Sequence, residues 1–365
     1  MFGPVTEVAL GGANLCVVLL DGQVQCVGEW PLEFETPTSS GGKNQYIYAP
    51  LAVKDATGAR SLAIETNRGC GVMPDATVRS WGNTTATANN WVGAKENELV
   101  AVEQPGIDHA TALALTWKES CALRDDGKVI CWGPALLGVG KKMGAPPPPR
   151  IRLERAKQIG GAHTHYCALL EGGTVTCWGD ARGAELTGDK VPMRDEAPQR
   201  VPKLTDVVSI SVGASHNCAL TATGAVFCWG SNGAGELGLG KTSAAEQPVQ
   251  VPGLEAIAIE ASPGTAATCA IRRDGSIACW GADYNCDIGD SHAGDCQKVV
   301  HQSTFGPSES ELCASPQTVG MEGAFAPVML SFGSTSACAK DVGGNLRCWG
   351  RSLFGGGSIC KGQAP

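Results

Sequence analysis

The chain alternates short apolar runs with turn residues from one end to the other. One stretch shows the pattern: "VVSISVG" ends at Gly213, and "CALTATGAVFCWG" runs from Cys218 to Gly230. The first stretch has the length of a strand. The second has two apolar runs around a glycine turn, which is typical of a β-hairpin because such turns need a positive φ. No stretch shows a helical apolar period of useful length. The pattern therefore predicts an all-β chain.

The hairpin pattern returns along the chain, and we number its copies repeats 1 to 7. The hairpins occupy residues 16–28, 70–82, 121–133, 167–179, 218–230, 269–281 and 338–350. A spacing of about 50 residues that fills a chain is typical of repeat architectures, in which each unit buries its faces against the next. We therefore predict one domain over residues 1–365: a β-propeller of seven four-stranded antiparallel blades, with the ring closed by the N- and C-terminal strands. Residues 282–327 are predicted to form an insertion loop between repeats 6 and 7.

Repeat 5 resembles the repeat of the regulator of chromosome condensation family. The shared pattern is a Val/Ile run, Gly-x-x-His, Ala-Leu, a glycine turn, Val, Trp-Gly and then Asn-x-x-Gly-x-Leu-Gly. Its residues here are Gly213, His216, Ala219, Leu220, Gly224, Val226, Trp229, Gly230, Asn232, Gly235, Leu237 and Gly238. The resemblance covers all the repeats, is to disulfide-rich members of bacterial type, and implies a seven-bladed propeller. It also implies that His165 and His216 bond to backbone near a central channel.

The cysteine content favours an oxidising compartment, with 17 cysteines in the chain. Most of them stand ten positions apart in a hairpin, where opposing Cβ atoms are about 4.5–5.5 Å apart and close to disulfide geometry. The predicted structural disulfides are Cys16–Cys26, Cys121–Cys131, Cys167–Cys177, Cys218–Cys228, Cys269–Cys279 and Cys338–Cys348. Reduced core thiols and zinc are the alternatives. Zinc is disfavoured because its cysteines usually come as tight knuckles that converge four at a time.

The remaining cysteines are Cys70, Cys286, Cys296, Cys313 and Cys360. Repeat 2 has Ser80 where the other hairpins have their second cysteine. We interpret Cys286–Cys296 as one further pair, closing a small loop, and Cys313–Cys360 as another. An odd total leaves at least one thiol unpaired, or paired with another chain.

The charge balance argues against a general nucleic-acid binder, because the net charge is −8 and such a protein needs a basic surface. No apolar run approaches the roughly 20 residues of a membrane-spanning helix. No signal peptide precedes repeat 1, so we expect an exported chain to have had its signal removed. We predict an extracellular, cell-surface or periplasmic protein with no membrane span, no cofactor and no metal.

Residues that depart from the repeat are the candidates for binding. Trp117 takes a loop position that holds small residues in other repeats, such as Ala214. The candidate binding residues are Trp117, Lys118, Glu119, Asn67, Arg68 and His163. Exposed Trp and Arg are over-represented among binding hot spots. The alternative for Trp117 is that it packs onto its own blade. The tryptophans that follow the second cysteine position are predicted to pack between blades: Trp81, Trp132, Trp178, Trp229, Trp280 and Trp349.

These features favour a non-catalytic, monomeric scaffold that binds another protein through loops on one propeller face. The resemblance implies comparable roles, since relatives act as nucleotide-exchange factors for a small GTPase or as secreted β-lactamase inhibitors. The alternatives are an enzyme (a lyase or hydrolase) at the channel mouth and a glycan-binding propeller. No pair of carboxylates and no group of histidines stands out to support an enzyme. Glycan binding predicts an aromatic residue that recurs at one loop position, and Trp117 has no such counterparts.

Overall fold

A computed structural model describes residues 2–30, 45–83, 91–92, 94–95, 98–117, 119–132, 150–179, 186–188, 195–283, 296–303, 306–321, 324–334, 336–351 and 358–363. The regular elements in these ranges are all β-strands. The chain divides into two compact units, one built mainly on Met1–Ile159 and the other on Gly160–Ser352 with Gly356–Pro365. The hairpins of repeats 1 to 3 lie in the first unit and those of repeats 4 to 7 in the second. The single domain over residues 1–365 stays a prediction.

Strands β1 to β15 build the sheets of the first unit. They are β1 Val5–Gly11, β2 Asn14–Leu19, β3 Val24–Trp30, β4 Gln45–Lys54, β5 Ser61–Glu65, β6 Arg68–Val72, β7 Val78–Asn83, β8 Trp91–Val92, β9 Ala94–Lys95, β10 Glu98–Val100, β11 Val102–Glu103, β12 Ala110–Leu115, β13 Ser120–Arg124, β14 Val129–Trp132 and β15 Arg150–Leu153. The sheet orders are β1-β2-β3-β4-β10-β9 for repeat 1, β11-β7-β6-β5 with β8 paired to β7 for repeat 2, and β12-β13-β14-β15 for repeat 3.

Strands β16 to β31 build the sheets of repeats 4 to 7. They are β16 Ala156–Ala162, β17 His165–Leu170, β18 Val175–Gly179, β19 Asp195–Arg200, β20 Val207–Val212, β21 His216–Thr221, β22 Ala225–Asn232, β23 Ser243–Ala261, β24 Ala267–Arg272, β25 Ile277–Asp283, β26 Cys296–Ser303, β27 Gly306–Thr318, β28 Pro327–Phe332, β29 Ser336–Asp341, β30 Leu346–Arg351 and β31 Ser358–Gln363. The sheet orders are β16-β17-β18-β19, then β20-β21-β22-β23-β24-β25-β27-β26, then β28-β29-β30-β31.

Repeat 5 shows how the sequence builds each unit. Its first strand, β20, pairs with β21, and β21 turns into β22 so that Cys218 lies opposite Cys228. The turn passes through Gly224, whose φ of 90° suits glycine. Gly230, after the tryptophan, has a φ of 101° and lies so close to Ser215 and His216 that a Cβ atom would stand 2.7 Å from the Ser215 carbonyl oxygen. The position after the tryptophan therefore requires glycine, both because φ is positive and because a Cβ atom has no room there.

Adjacent residues of the hairpin pack against different neighbouring repeats. Cys228 lies in a buried cluster with Ile259 and Trp280 of repeat 6. Trp229, one position on, lies in a buried cluster with Leu169 and other residues of repeat 4. Successive side chains of a strand point to opposite faces, so in repeat 5 the Cys-Trp pair contacts both neighbouring repeats. The tryptophans at this position are all buried, as their predicted packing role requires.

The predicted hairpin disulfides are confirmed. All six pairs are bonded, with Cα atoms 4.0 or 4.1 Å apart: Cys16–Cys26, Cys121–Cys131, Cys167–Cys177, Cys218–Cys228, Cys269–Cys279 and Cys338–Cys348. In repeat 2, Cys70 is a buried free thiol whose Sγ lies 2.8 Å from Ser80 Oγ. Burial raises the pKa of the Cys70 thiol, so the thiol stays protonated at neutral pH.

The two further pairings suggested by the sequence are wrong. Cys296 bonds to Cys313, not to Cys286, and Cys313 is therefore not available to Cys360. The reason is that β26 and β27 form a hairpin of their own, which places Cys296 directly opposite Cys313. Cys286 lies outside the described residues. Cys360 lies on β31, and its side chain is outside them too.

The structure corrects two features of the predicted propeller. The described strands form six sheets, not seven separate four-stranded blades, because β23 pairs with β22 at one end and with β24 at the other and so joins repeats 5 and 6. Closure of the ring by the terminal strands stays a prediction, and among the described strands β1 pairs with β2 and β31 with β30. The segment 282–327 is not only a loop, since it contains β26 and β27, and β27 pairs with β25.

Candidate functional site

Two turns of the first unit carry most of the predicted binding residues. In repeat 2 the turn Thr66–Asn67 joins β5 to β6, and in repeat 3 the turn Thr116–Glu119 joins β12 to β13. The repeat 3 turn is closed by its own backbone, because Thr116 N donates to Glu119 O at 3.0 Å. Glu119 N also donates to Thr116 Oγ1 at 3.2 Å. Both turns therefore hold their side chains in defined positions.

Arg68 connects these two turns from below the surface. The residue is only 8 % exposed. Its Nη2 donates to Thr116 O at 2.6 Å and to Glu119 O at 3.1 Å. We expected Arg68 to be an exposed contact residue. This is corrected, because its guanidinium group is buried and hydrogen-bonds to two carbonyl groups of the protein itself. Arg68 instead supports the loop on which Trp117 stands.

Trp117 is 53 % exposed, so it does not pack down onto its own repeat. Its side chain hydrogen-bonds to Glu65 of repeat 2, and the indole N–H, the only donor of the ring, donates. Thr66 Oγ1 donates to Glu65 Oε2 at 2.7 Å. Desolvation raises the pKa of Glu65, although Thr66, Arg68 and Trp117 act against the rise. The indole ring is thus held by one edge and open to solvent elsewhere.

The other candidates of this loop region have lesser roles in the structure. Asn67 is partly buried and accepts from Asn14 Nδ2 at 3.2 Å, while Asn14 Nδ2 also donates to Thr66 O at 2.6 Å. Glu119 is partly buried, and Lys118 lies outside the described residues. The structure therefore brings Glu65, which the sequence did not single out, together with Arg68 and Trp117. The cluster joins two repeats, and the bond from Arg68 to Thr116 O links residues 48 positions apart.

His163 belongs to the second unit and is described separately. It is partly buried and has a φ of 49°, in the left-handed region. Desolvation lowers the pKa of its ring, so His163 is neutral at pH 7. The other candidate binding residues all belong to the first unit.

The two repeat histidines bond to side chains rather than to backbone, which corrects the role implied by the resemblance. His165 Nε2 donates to Asn217 Oδ1 at 2.9 Å. His216 Nε2 lies 2.7 Å from Thr268 Oγ1, and because Thr268 gives its own hydrogen to Glu236 O, His216 must be the donor. His216 Nδ1 is buried without a partner among the described residues. Burial lowers the pKa of His165 to about 4 and that of His216 to about 3, so both rings are neutral at pH 7. Each ring hydrogen-bonds to a residue of the next repeat.

A cavity of about 440 Å³ lies at the other end of repeat 2, lined by Asp55, Thr57, Met73, Pro74, Asp75 and Arg79. Two of its charged side chains make hydrogen bonds, because Arg79 Nη1 donates to the backbone Asp55 O at 2.8 Å and Asp75 accepts from Thr77, while Arg79 Nε is buried without a partner among the described residues. In the described ranges no three His, Cys, Asp or Glu side chains converge in a way that could hold a metal ion. The same ranges contain no helix long and apolar enough to cross a membrane.

The sequence comparisons agree with the repeat pattern. Two models of the regulator of chromosome condensation (RCC1) repeat match residues 207–236 and 223–271. A mitochondrial RCC1 domain-containing protein of Arabidopsis thaliana, RUG3, is 32% identical over 157 residues, which are 42% of this chain and 32% of that protein. The mouse regulator of chromosome condensation is 29% identical over 147 residues, 39% of this chain and 34% of that protein. The matches thus span about a third of the length of these relatives.

The structural comparison extends the likeness to the whole chain. Prp20p of Saccharomyces cerevisiae, studied for its binding to Gsp1p and histones, superposes with a TM-score of 0.70 at 18% identity, covering 100% of this chain and 86% of that one. At this identity the likeness concerns the fold alone, which is an all-β propeller fold. The family models thus identify RCC1 repeats at residues 207–271, and the repeat pattern and the other comparisons make the chain similar to members of the RCC1 repeat family.

Proposed function

We propose that this chain is a non-catalytic, extracytoplasmic propeller that binds another protein. The binding site is the turn region of repeats 2 and 3, with Trp117 as the central contact. Lys118 and Glu119 follow Trp117 in sequence, and Asn67 lies on the turn between β5 and β6 of repeat 2. The chain acts as a monomer in this proposal, and His163 offers a separate contact on the second unit.

The observation that carries the proposal is the state of Trp117. A large aromatic side chain is open to solvent, while Arg68 of repeat 2 holds the carbonyl of the preceding Thr116 and Glu65 of repeat 2 bonds to the indole N–H. Such a residue offers large contact area and loses little conformational entropy on binding, which is the property of a hot-spot residue.

The protein partner is favoured by the family as well as by the site. Prp20p, which has a similar fold, was studied for its binding to Gsp1p and histones. Extracytoplasmic location is supported by the hairpin disulfides, which form and persist in oxidising compartments. His165, His216 and Glu260 are engaged in hydrogen bonds between repeats, which supports binding over catalysis.

The experiment is a site-specific photo-crosslink. Trp117 is replaced by p-benzoylphenylalanine, and the protein is incubated with the native extracellular or envelope fraction. The matched control places the same group at Leu20, which is 68 % exposed but sits in the hairpin turn of repeat 1. We expect a protein adduct from position 117 that Leu20 does not give and that unlabelled wild-type protein competes away. Equal labelling from both positions, or competition by a Trp117→Ala variant as strong as by wild type, contradicts the proposal.

A further inference from the structure

Trp117 and Glu65 place an exposed aromatic ring beside a carboxylate. Trp117 is 53 % exposed and Glu65 is partly exposed, so both reach the surface of the first unit. The indole N–H donates to Glu65, and Thr66 Oγ1 donates to Glu65 Oε2 at 2.7 Å. A carboxylate offers about four acceptor positions, so these two bonds leave Glu65 able to accept from a further donor.

The bond between Glu65 and the indole N–H makes the ring a better binding surface for a positive charge. The face of an aromatic ring has a negative potential, and tryptophan attracts cations more strongly than the other aromatic side chains do. A carboxylate that accepts the N–H polarises this bond and adds electron density to the ring. The face of Trp117 and the oxygen atoms of Glu65 therefore attract the same kind of group.

The described charged groups around this pair leave its exposed side negative. Arg68, the cation opposite Glu65 in the pairing of β5 with β6, is only 8 % exposed. Its described hydrogen bonds go to Thr116 O and Glu119 O, so Arg68 acts on Glu65 through its electric field. Glu119 adds a second, partly buried carboxylate to the same region. The net charge of −8 also favours the approach of a basic partner.

The charge of Glu65 is incompletely compensated within the protein. Desolvation raises the pKa of Glu65, and this effect exceeds the opposing influence of Thr66, Arg68 and Trp117. An apolar side chain that covered Trp117 would take further water from the carboxylate and return no charge, which is unfavourable. A cation in the same place compensates the carboxylate and contacts the ring.

We propose that Trp117 and Glu65 form the binding site for an arginine side chain of the partner protein. The guanidinium group stacks on the indole face and donates to the remaining acceptor positions of Glu65 at the edge of the ring. Arginine suits this site better than lysine, because its planar group stacks on aromatic faces and presents several N–H donors in one plane. The arginine site rests on the proposed function, since it gives the chemistry of the partner residue that contacts Trp117.

The test measures the binding of a single arginine side chain to the full chain, with the partner protein left out. The probe is N-acetyl-arginine amide, and N-acetyl-citrulline amide has nearly the same shape without the charge. Both are titrated at constant ionic strength and neutral pH against isotope-labelled protein, and the indole N–H signal of Trp117 is followed by NMR. Trp117→Phe identifies that signal among those of the nine tryptophans.

We expect a saturable shift of the Trp117 signal with the arginine probe and binding about tenfold weaker for the citrulline probe. Glu65→Gln is expected to remove this preference, because the amide keeps the shape of the side chain without its charge. The control is Glu255→Gln, which changes the net charge equally at an exposed carboxylate of the second unit and leaves the preference intact.

Equal binding of the two probes to the wild-type protein overturns the arginine site, and so does a preference that survives Glu65→Gln. The wild-type comparison decides the question even where the Gln variant fails to fold. The photo-crosslink from position 117 tests the proposed function separately, because it requires contact with a protein but no particular charge. A protein adduct together with equal titrations therefore leaves the proposed function in place and removes the arginine site.

Discussion

Cys70 and Ser80 face each other across β6 and β7, at the register position where the other repeats have a disulfide. Their Sγ and Oγ atoms are 2.8 Å apart, and both side chains are buried. Repeat 2 thus has the backbone geometry of the bonded hairpins without the bond. A disulfide is therefore not required for this hairpin to form.

Ser80→Cys is expected to form a disulfide with Cys70 and to stabilise the protein by about 1–2 kcal/mol. The chain-entropy model gives nearly 3 kcal/mol for such a loop, and we reduce the value because the hairpin already restrains its ends. Thiol titration under denaturing conditions and urea unfolding measure the two effects. Ser80→Ala is the control, since it removes the hydroxyl without adding a thiol. A variant with two titratable thiols at positions 70 and 80 would show that the register is not suited to the bond.

The sequence predicted this local geometry because the repeat constrains it. Each hairpin has its cysteines at equal distances from a glycine turn, so their opposition follows from strand pairing alone. The partner of Cys296 could not be found this way, because β26 and β27 lie outside the repeat and their pairing is set by no recurring turn.

The cluster around Trp117 was only partly predictable. Trp117 and Arg68 stood out because they break the repeat. The support of the Trp117 loop by Arg68, and the bond from Trp117 to Glu65, join different repeats and have no local sequence signal. The union of repeats 5 and 6 in one sheet was missed for a similar reason, since it depends on β23 running without a break from Ser243 to Ala261.

Acid is expected to destabilise the protein through the two buried histidines. Their folded pKa values, about 4 and about 3, lie below the ordinary histidine pKa of 6.5, so the unfolded chain binds more protons and stability falls as the pH drops below 6.5. Glu260 acts in the opposite direction between pH 4.5 and 7, since its folded pKa is raised to about 7. These three groups leave a net difference of one proton between pH 6.5 and 4.5, a loss of about 1.4 kcal/mol per pH unit.

Single variants separate these contributions. His216→Gln keeps a donor for Thr268 and removes one titrating group, so we expect a nearly flat stability between pH 6.5 and 4.5. Glu260→Gln removes the opposing group, so the slope in that window is expected to double. Urea unfolding across this pH range gives the slopes. An unchanged slope in both variants would mean that other groups control the acid response.

Arg68 is expected to be important for stability as well as for the Trp117 loop. Arg68→Met removes the donor to Thr116 O and Glu119 O and places an apolar side chain beside these carbonyls, which costs about 2–3 kcal/mol even though Glu119 O keeps its bond from Thr116 N. Arg68→Lys keeps one amine that can reach a carbonyl, and we expect about half that loss. The control is Arg79→Met, because Arg79 makes an exposed bond to Asp55 O. Equal melting temperatures for the Met variants at positions 68 and 79 would contradict the supporting role of Arg68.

Trp117 and Trp229 are expected to respond to truncation in opposite ways. Trp117 is 53 % exposed and Trp229 is fully buried between repeats 4 and 5. Trp117→Ala should change the free energy of unfolding by no more than about 0.5–1 kcal/mol, while Trp229→Ala leaves a cavity and costs about 3–5 kcal/mol. Partner affinity should fall at least about 30-fold for Trp117→Ala, the loss typical of a hot-spot residue. Urea unfolding and titration against the crosslinked partner measure the two quantities. A large loss of stability in Trp117→Ala with affinity intact would assign Trp117 to packing and move the binding site elsewhere.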